Sequence, residues 1–164
     1  MGLEIERRFI VKGDNWKYLT KEYQAIKQGY LINELKGWTI RIRIINEKES
    51  WITLKYPHSE LSRHEFEYQI PLKEAIEIMK ISKYKVNKIR YVLNLNPGDW
   101  IVDCFQGKNE PLVIAEVELN SPKEIIEQPK WCQKEVTGIE ELSNASLAKE
   151  PISHWPIDKK RSIL

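Results

Sequence analysis

Cysteine is nearly absent: Cys104 and Cys132 are the only two in 164 residues. A disulfide framework is therefore not expected, and two free thiols in a reducing compartment is the plain reading. Histidine is equally sparse. His58, His64 and His154 are scattered and, with two cysteines, give no zinc-ligand spacing. No apolar run approaches the roughly 20 residues of a membrane span. The N-terminus enters a charged stretch at Glu4 with no apolar leader before it, so a cytoplasmic protein is expected. An excess of one charge is missing too. Lys and Arg number 26 against 24 Asp and Glu, a net charge of +2, too balanced for nucleic acid as the main partner. No repeat of solenoid length and no low-complexity segment interrupts the chain.

What is present is a chain with 41% apolar and 30% charged residues, enough for one folded domain with a sizeable core. Period-two alternation marks eight strands, at about 3–11, 23–33, 38–45, 51–56, 64–70, 85–95, 100–106 and 112–120. Lys73 to Tyr84 has helical spacing in Ala75, Ile76, Met79 and Ile81. Trp16 to Leu19 reads as a short helix or a loop, and Ser121-Pro122 as the start of a short helix through Ile126. Residues from Gln128 on read as irregular, with short helical pieces near 139–142 and 145–149. Short links between strands favour antiparallel hairpins.

One face of nearly every strand is charged. Glu4, Glu6 and Arg8 share a face of the first strand, opposite Ile5, Arg7 and Phe9. Later strands add Arg41 and Arg43, then Lys55, Glu65 and Glu67, Lys88 and Arg90, Asp103, and Glu116 and Glu118. An ordinary antiparallel sheet with one wet face is the bland explanation. Three details favour an inward face. The charges repeat in pairs at i and i+2. Arg, which grips oxyanions in a bidentate fork, outnumbers Lys. Eight strands can also close into a barrel that holds one small ligand and leaves no exposed edges. The expected fold class is therefore α+β: a closed eight-stranded antiparallel β-barrel, charged inside, with helices and a partner subunit covering its apolar outside. Clustered carboxylates suit a hard divalent cation and clustered Arg and Lys suit phosphate oxygens, so the two together describe a metal and polyphosphate site.

Glu4-x-Glu6-x-Arg8 resembles the ExExK signature of the CYTH superfamily, the triphosphate tunnel metalloenzymes. Arg41-x-Arg43, Thr53-x-Lys55, Glu65-x-Glu67, Lys88-x-Arg90, Asp103 and Glu116-x-Glu118 follow in the order of that family's tunnel residues. The resemblance covers residues 1–150 and leaves 151–164 as a C-terminal tail whose Lys159-Lys160-Arg161 is read as solvated. It implies a homodimer, a linear triphosphate or its organic ester as substrate, and Mg²⁺ or Mn²⁺ as cofactor. The chain looks most like the short single-domain bacterial members. One departure stands out: the last signature position is Arg8 rather than Lys, which keeps the charge but transfers protons poorly.

On this reading Glu4, Glu6, Glu116 and Glu118 hold the metals and are catalytic, with Glu65, Glu67 or Asp103 completing a second site. Arg8, Arg41, Arg43, Lys55, Lys88 and Arg90 bind the phosphates, and Lys88 is also grouped with the catalytic residues. Tyr30 is expected in the barrel wall, with closure of one tunnel mouth as the alternative, and His64 on the apolar face. The six Trp are assigned to core or dimer contacts. Glu135 and Asn144 are placed, by resemblance, near a plug at one tunnel end. The expected activity is metal-dependent hydrolysis of inorganic tripolyphosphate. The alternatives are a class IV-type adenylyl cyclase, a thiamine triphosphatase, and a non-catalytic module that binds polyphosphate or a nucleotide. A single-stranded RNA binder is disfavoured by the acidic pairs.

Overall fold

Strand β1 (Gly2–Val11) fixes the inside and outside of the molecule. Its Glu6 and Arg8 lie opposite Glu118 and Glu116 of β8 (Val113–Glu118), while Phe9 lies opposite Ala115. Side chains directly opposite in a ladder share a face, so the charges group on one side and the apolar residues on the other. The computed structural model describes residues 2–164. The other strands are β2 (Thr20–Asn33), β3 (Thr39–Ile45), β4 (Glu49–Pro57), β5 (Ser62–Gln69), β6 (Tyr84–Leu93), β7 (Asp99–Phe105) and β9 (Cys132–Glu135). Every pairing is antiparallel, in the order β5-β4-β3-β2-β6-β7-β8-β1. The ring closes where β1 returns to β5, with Glu4 opposite Arg63. The result is the expected closed eight-stranded barrel.

β9 was not anticipated. It adds to β1 at Phe9 and Val11, on the edge that β5 leaves unpaired. Only Cys132 of its four residues is buried, so alternation had little to mark. Helix α1 (Leu72–Ile81) starts as expected and ends earlier, because Ser82 donates its hydroxyl back to the Ile78 carbonyl at 3.0 Å and the chain turns into β6. Gly29 lets α1 come this close to β2: a Cβ there would lie 2.7 Å from Met79 Sδ. The helix expected after Ser121 is instead one turn, followed by an extended strap. Extended backbone puts Ile126 into the core and leaves its neighbour Ile125 exposed, as alternation requires. Lys17–Leu19 is a short 3-10 turn behind the buried Trp16.

The apolar outer face is covered in sectors. Trp16, Trp100, Trp131 and the strap seal Phe9, Val11, Val102, Ala115 and Val117. Helix α1 covers Ile42, Ile44 and Ile52. A third cluster gathers at one end of the barrel, where Ile10, Val86, Phe105 and Ile114 meet Leu142, Ala145 and Leu147. Here α2 (Asn144–Lys149) sits across the opening as a plug. Residues 151–164 pack onto the same cluster through the buried Ile152 and Trp155, and end in α3 (Ile157–Ile163). Lys159 stacks on the Trp155 ring, its ammonium 4.1 Å from the ring centre, so this basic stretch lies against the body of the protein.

Candidate active site

Inside the barrel, most of the carboxylates gather on β1, β5 and β8 and most of the cations on β3, β4 and β6. Glu6 faces Glu118 in register, and Glu116 is two residues along. Burial first, then Glu116 and Glu4, push the Glu6 carboxyl up to about 7. Its nearest cation is Arg63 at 3.7 Å. Glu118 is raised as well, by burial and by Glu4, Glu65 and Asp99. Glu4 moves the other way. Burial alone would raise it, but the Lys55 ammonium at 2.7 Å overrides that and lowers it to about 2. The same ammonium lies 2.9 Å from Glu65. Glu67 takes a hydrogen bond from Thr53 Oγ1 at 2.6 Å and has Arg41 at 3.8 Å.

Asp103, expected among the metal ligands, has both oxygens on cations. Arg90 forks onto both at 2.9 Å, and Lys88 Nζ donates to Oδ2 at 2.5 Å. Asp103 and Lys88 are both 0% exposed. The flanking cations hold the Asp103 carboxyl far below the usual range, while burial pulls the Lys88 ammonium down to about 7. Lys88 also donates to Asn144 Oδ1 of the plug at 3.0 Å. Arg43 donates to the buried amide of Gln28 at 2.9 Å, and Gln28 in turn donates to the Tyr30 hydroxyl at 2.8 Å.

A cavity of about 350 Å³ opens at the plugged end, beside α2. Glu6, Arg8, Tyr30, Arg41, Lys55 and Arg63 line its depth, and the β2–β3 and β4–β5 hairpins form its rim. Two of these side chains carry buried donors with no partner: Nη2 of Arg8 and Nε of Arg41. An unmet buried donor costs about 1–3 kcal/mol. Two of them at the edge of one cavity mark a place for an anion.

Two residues depart from the sequence expectations, and two more lie outside them. Tyr30 faces the tunnel rather than the wall, because it lies opposite Arg41. Glu135 is outside, paired through both oxygens to Arg7 at 2.8 Å, and takes no part in the plug. Arg63 and Gln28 went unnoticed, although extending the strand-five alternation back from Glu65 reaches Arg63. His64 sits on the outer face as expected, stacked edgewise on His58 at 5.0 Å. Among the described residues, no three His, Cys, Asp or Glu side chains converge into a ready metal cage. The donor chemistry still fits a divalent cation. Glu6 and Glu118 are crowded by like charge on the oxygen-rich wall, and a cation there would relieve both.

The CYTH domain family matches residues 2–151. The chain belongs to this family. A relative, the inorganic triphosphatase of Acetivibrio thermocellus, is 40% identical over 157 residues, covering 94% of this chain and 99% of its own. The solved structure of the inorganic triphosphatase NE1496 is 28% identical with a TM-score of 0.63, covering 88% of this chain and 97% of that one. The PH1012 protein of Pyrococcus horikoshii OT3, 22% identical with a TM-score of 0.58 over 73% of this chain and 80% of its own, shares the fold.

Proposed function

We propose that this CYTH protein hydrolyses inorganic tripolyphosphate with a divalent cation, Mg²⁺ or Mn²⁺. The observation that carries the reading is the pair of unmet guanidinium donors on Arg8 and Arg41, two residues that line one cavity together with the poorly compensated Glu6 carboxyl. The relative and the solved structure named as inorganic triphosphatases support it. Glu4, Glu6, Glu116 and Glu118 would hold the cation, which supplies positive charge to phosphate oxygens and acidifies a water. Arg8, Arg41, Arg43, Lys55 and Arg63 align the phosphates and offset charge in the transition state. Lys88 and Asp103 hold Arg90 and the plug in place, a positioning role instead of the catalytic and metal-binding ones suggested by the strand pattern.

A homodimer is part of the proposal. Trp38, Tyr56, Tyr68, Leu3 and Ile32 remain exposed on the outer face of the barrel, beyond the reach of α1 and the strap. This apolar face is assigned to a second copy.

Phosphate release from tripolyphosphate, ATP, thiamine triphosphate and pyrophosphate, each with Mg²⁺ or Mn²⁺, tests the activity. Release from tripolyphosphate, lost in Glu6→Gln, is the expected result. Cyclic AMP formed from ATP would move the assignment to a cyclase. Tight triphosphate binding without turnover would make the protein a binding module.

A further inference from the structure

Arg8 occupies the position where the signature carries Lys, and its side chain makes contacts that an ammonium cannot make together. Its Nε donates to Glu116 Oε1 at 3.3 Å, on the carboxylate wall. Its Nη1 donates to the Leu142 carbonyl at 2.9 Å. Its Nη2 is buried with no partner, and the residue lines the cavity. The backbone of Arg8 is held as well. Its N–H donates to Thr137 Oγ1 at 3.0 Å, and its carbonyl accepts from Val136 N–H at 2.8 Å.

Leu142 is where the plug begins. It ends the 3-10 turn Glu140–Leu142, and the next residue, Ser143, caps α2 by accepting from Ser146 N–H at 3.1 Å. Beyond the cap, Asn144 takes the Lys88 hydrogen bond and also lines the cavity. One rigid guanidinium plane therefore touches the carboxylate wall and the backbone entering the plug, and keeps one buried donor unpaired on a residue that lines the cavity.

We propose that Arg8 couples triphosphate binding to the seating of the plug. A phosphate oxygen that takes the unused Nη2 donor fixes the plane of the fork. Nε and Nη1 belong to that plane, so the Leu142 carbonyl is held at the same time and residues 139–149 close on the barrel end. A lysine places three donors on one point and cannot span both partners. The Arg at this position is then a device for linking binding to closure. The inference rests on the triphosphate reading above.

Hydrogen exchange of the whole chain tests it, with and without tripolyphosphate and Mg²⁺, alongside calorimetry that measures binding directly. In the wild type, amides within 139–149 should exchange about tenfold more slowly once ligand is bound. Arg8→Lys should still bind tripolyphosphate through Arg41, Arg43 and Lys55, more weakly, and its plug amides should exchange at the same rate with and without ligand. If the variant keeps the ligand-induced protection, Arg8 is merely structural and the coupling is wrong. If the wild type binds tripolyphosphate without any protection of 139–149, the coupling is overturned while the triphosphate reading survives. If the wild type does not bind tripolyphosphate, both readings fall. The wild-type arm decides the question even if Arg8→Lys does not fold.

Discussion

Glu6 sits where negative charge is least compensated, and this makes its titration a measurable quantity. Its pKa in the folded protein, about 7, lies above the ordinary carboxylate value of 4.5. A raised folded pKa means that the neutral form is favoured. The stability it contributes is complete below the unfolded pKa and is lost as pH rises through about 7. Metal-free protein should therefore lose stability between these two pH values from this group. A bound cation needs the carboxylate, so it must displace the proton. Affinity for Mn²⁺ should rise about tenfold per pH unit up to neutrality and flatten above it. Calorimetric titrations at about pH 6, 7 and 8 would show this, with Glu6→Gln losing the slope. Equal wild-type affinity at both ends of that range would remove Glu6 from the ligand set.

Asp103 makes the opposite kind of prediction at the same scale. Both of its oxygens are occupied, by the fully buried Lys88 and the part-buried Arg90. Asp103→Asn leaves the fully buried Lys88 without its counter-charge, while Arg90 keeps Glu116 at 3.9 Å, and should cost about 3–5 kcal/mol in urea denaturation. Residue types and faces were legible in the sequence because a strand alternates with period two. Charge partners were not. Lys55 bridges Glu4 and Glu65, a grouping that exists only because β1 closes onto β5.

Among the elements, those with a long alternating or helical pattern were readable, and those held by a few anchors were not. All eight barrel strands and α1 fall where their patterns put them, to within a few residues. β9 and the strap escaped notice because each seats one or two side chains, Cys132 in one and Ile126 and Trp131 in the other. The same holds for the end of the chain. Residues 151–164 carry little periodicity, yet Ile152 and Trp155 complete the cluster beneath α2. Trp155 also donates its indole N–H to the Glu150 carbonyl at 3.1 Å, just after α2 ends. Trp155→Ala should therefore cost about 3–5 kcal/mol, read as a shift in the denaturant midpoint. A change within about 0.5 kcal/mol, the size expected of an exposed site, would show that the segment is a tail after all.

At the scale of the whole molecule, the fold is inverted: charges line the inside and apolar side chains face out. That arrangement is stable only if the outside is covered. Helix α1 and the strap cover part of it. The outer surface of β3, β4, β5 and the start of β1 is left with Trp38 39% and Tyr68 52% exposed. Register makes this one continuous patch. Ile40, Leu54 and Phe66 lie side by side across three strands, and Tyr56, His64 and Leu3 form the next row. Trp38 packs on Tyr56 with ring centres 5.0 Å apart, so the patch is already ordered. A contiguous apolar surface of this kind marks an interface, and an isologous pair of copies would bury it on both sides. A charge placed in it would have to be desolvated in the dimer but not in the monomer. Tyr68→Glu should therefore shift the protein from dimer to monomer in sedimentation velocity, at concentrations where the wild type stays paired. The substituted side chain points away from the tunnel, so binding of tripolyphosphate should persist in the monomer. A wild type that sediments as a monomer across the concentration range would sink the dimer and leave this patch without a partner.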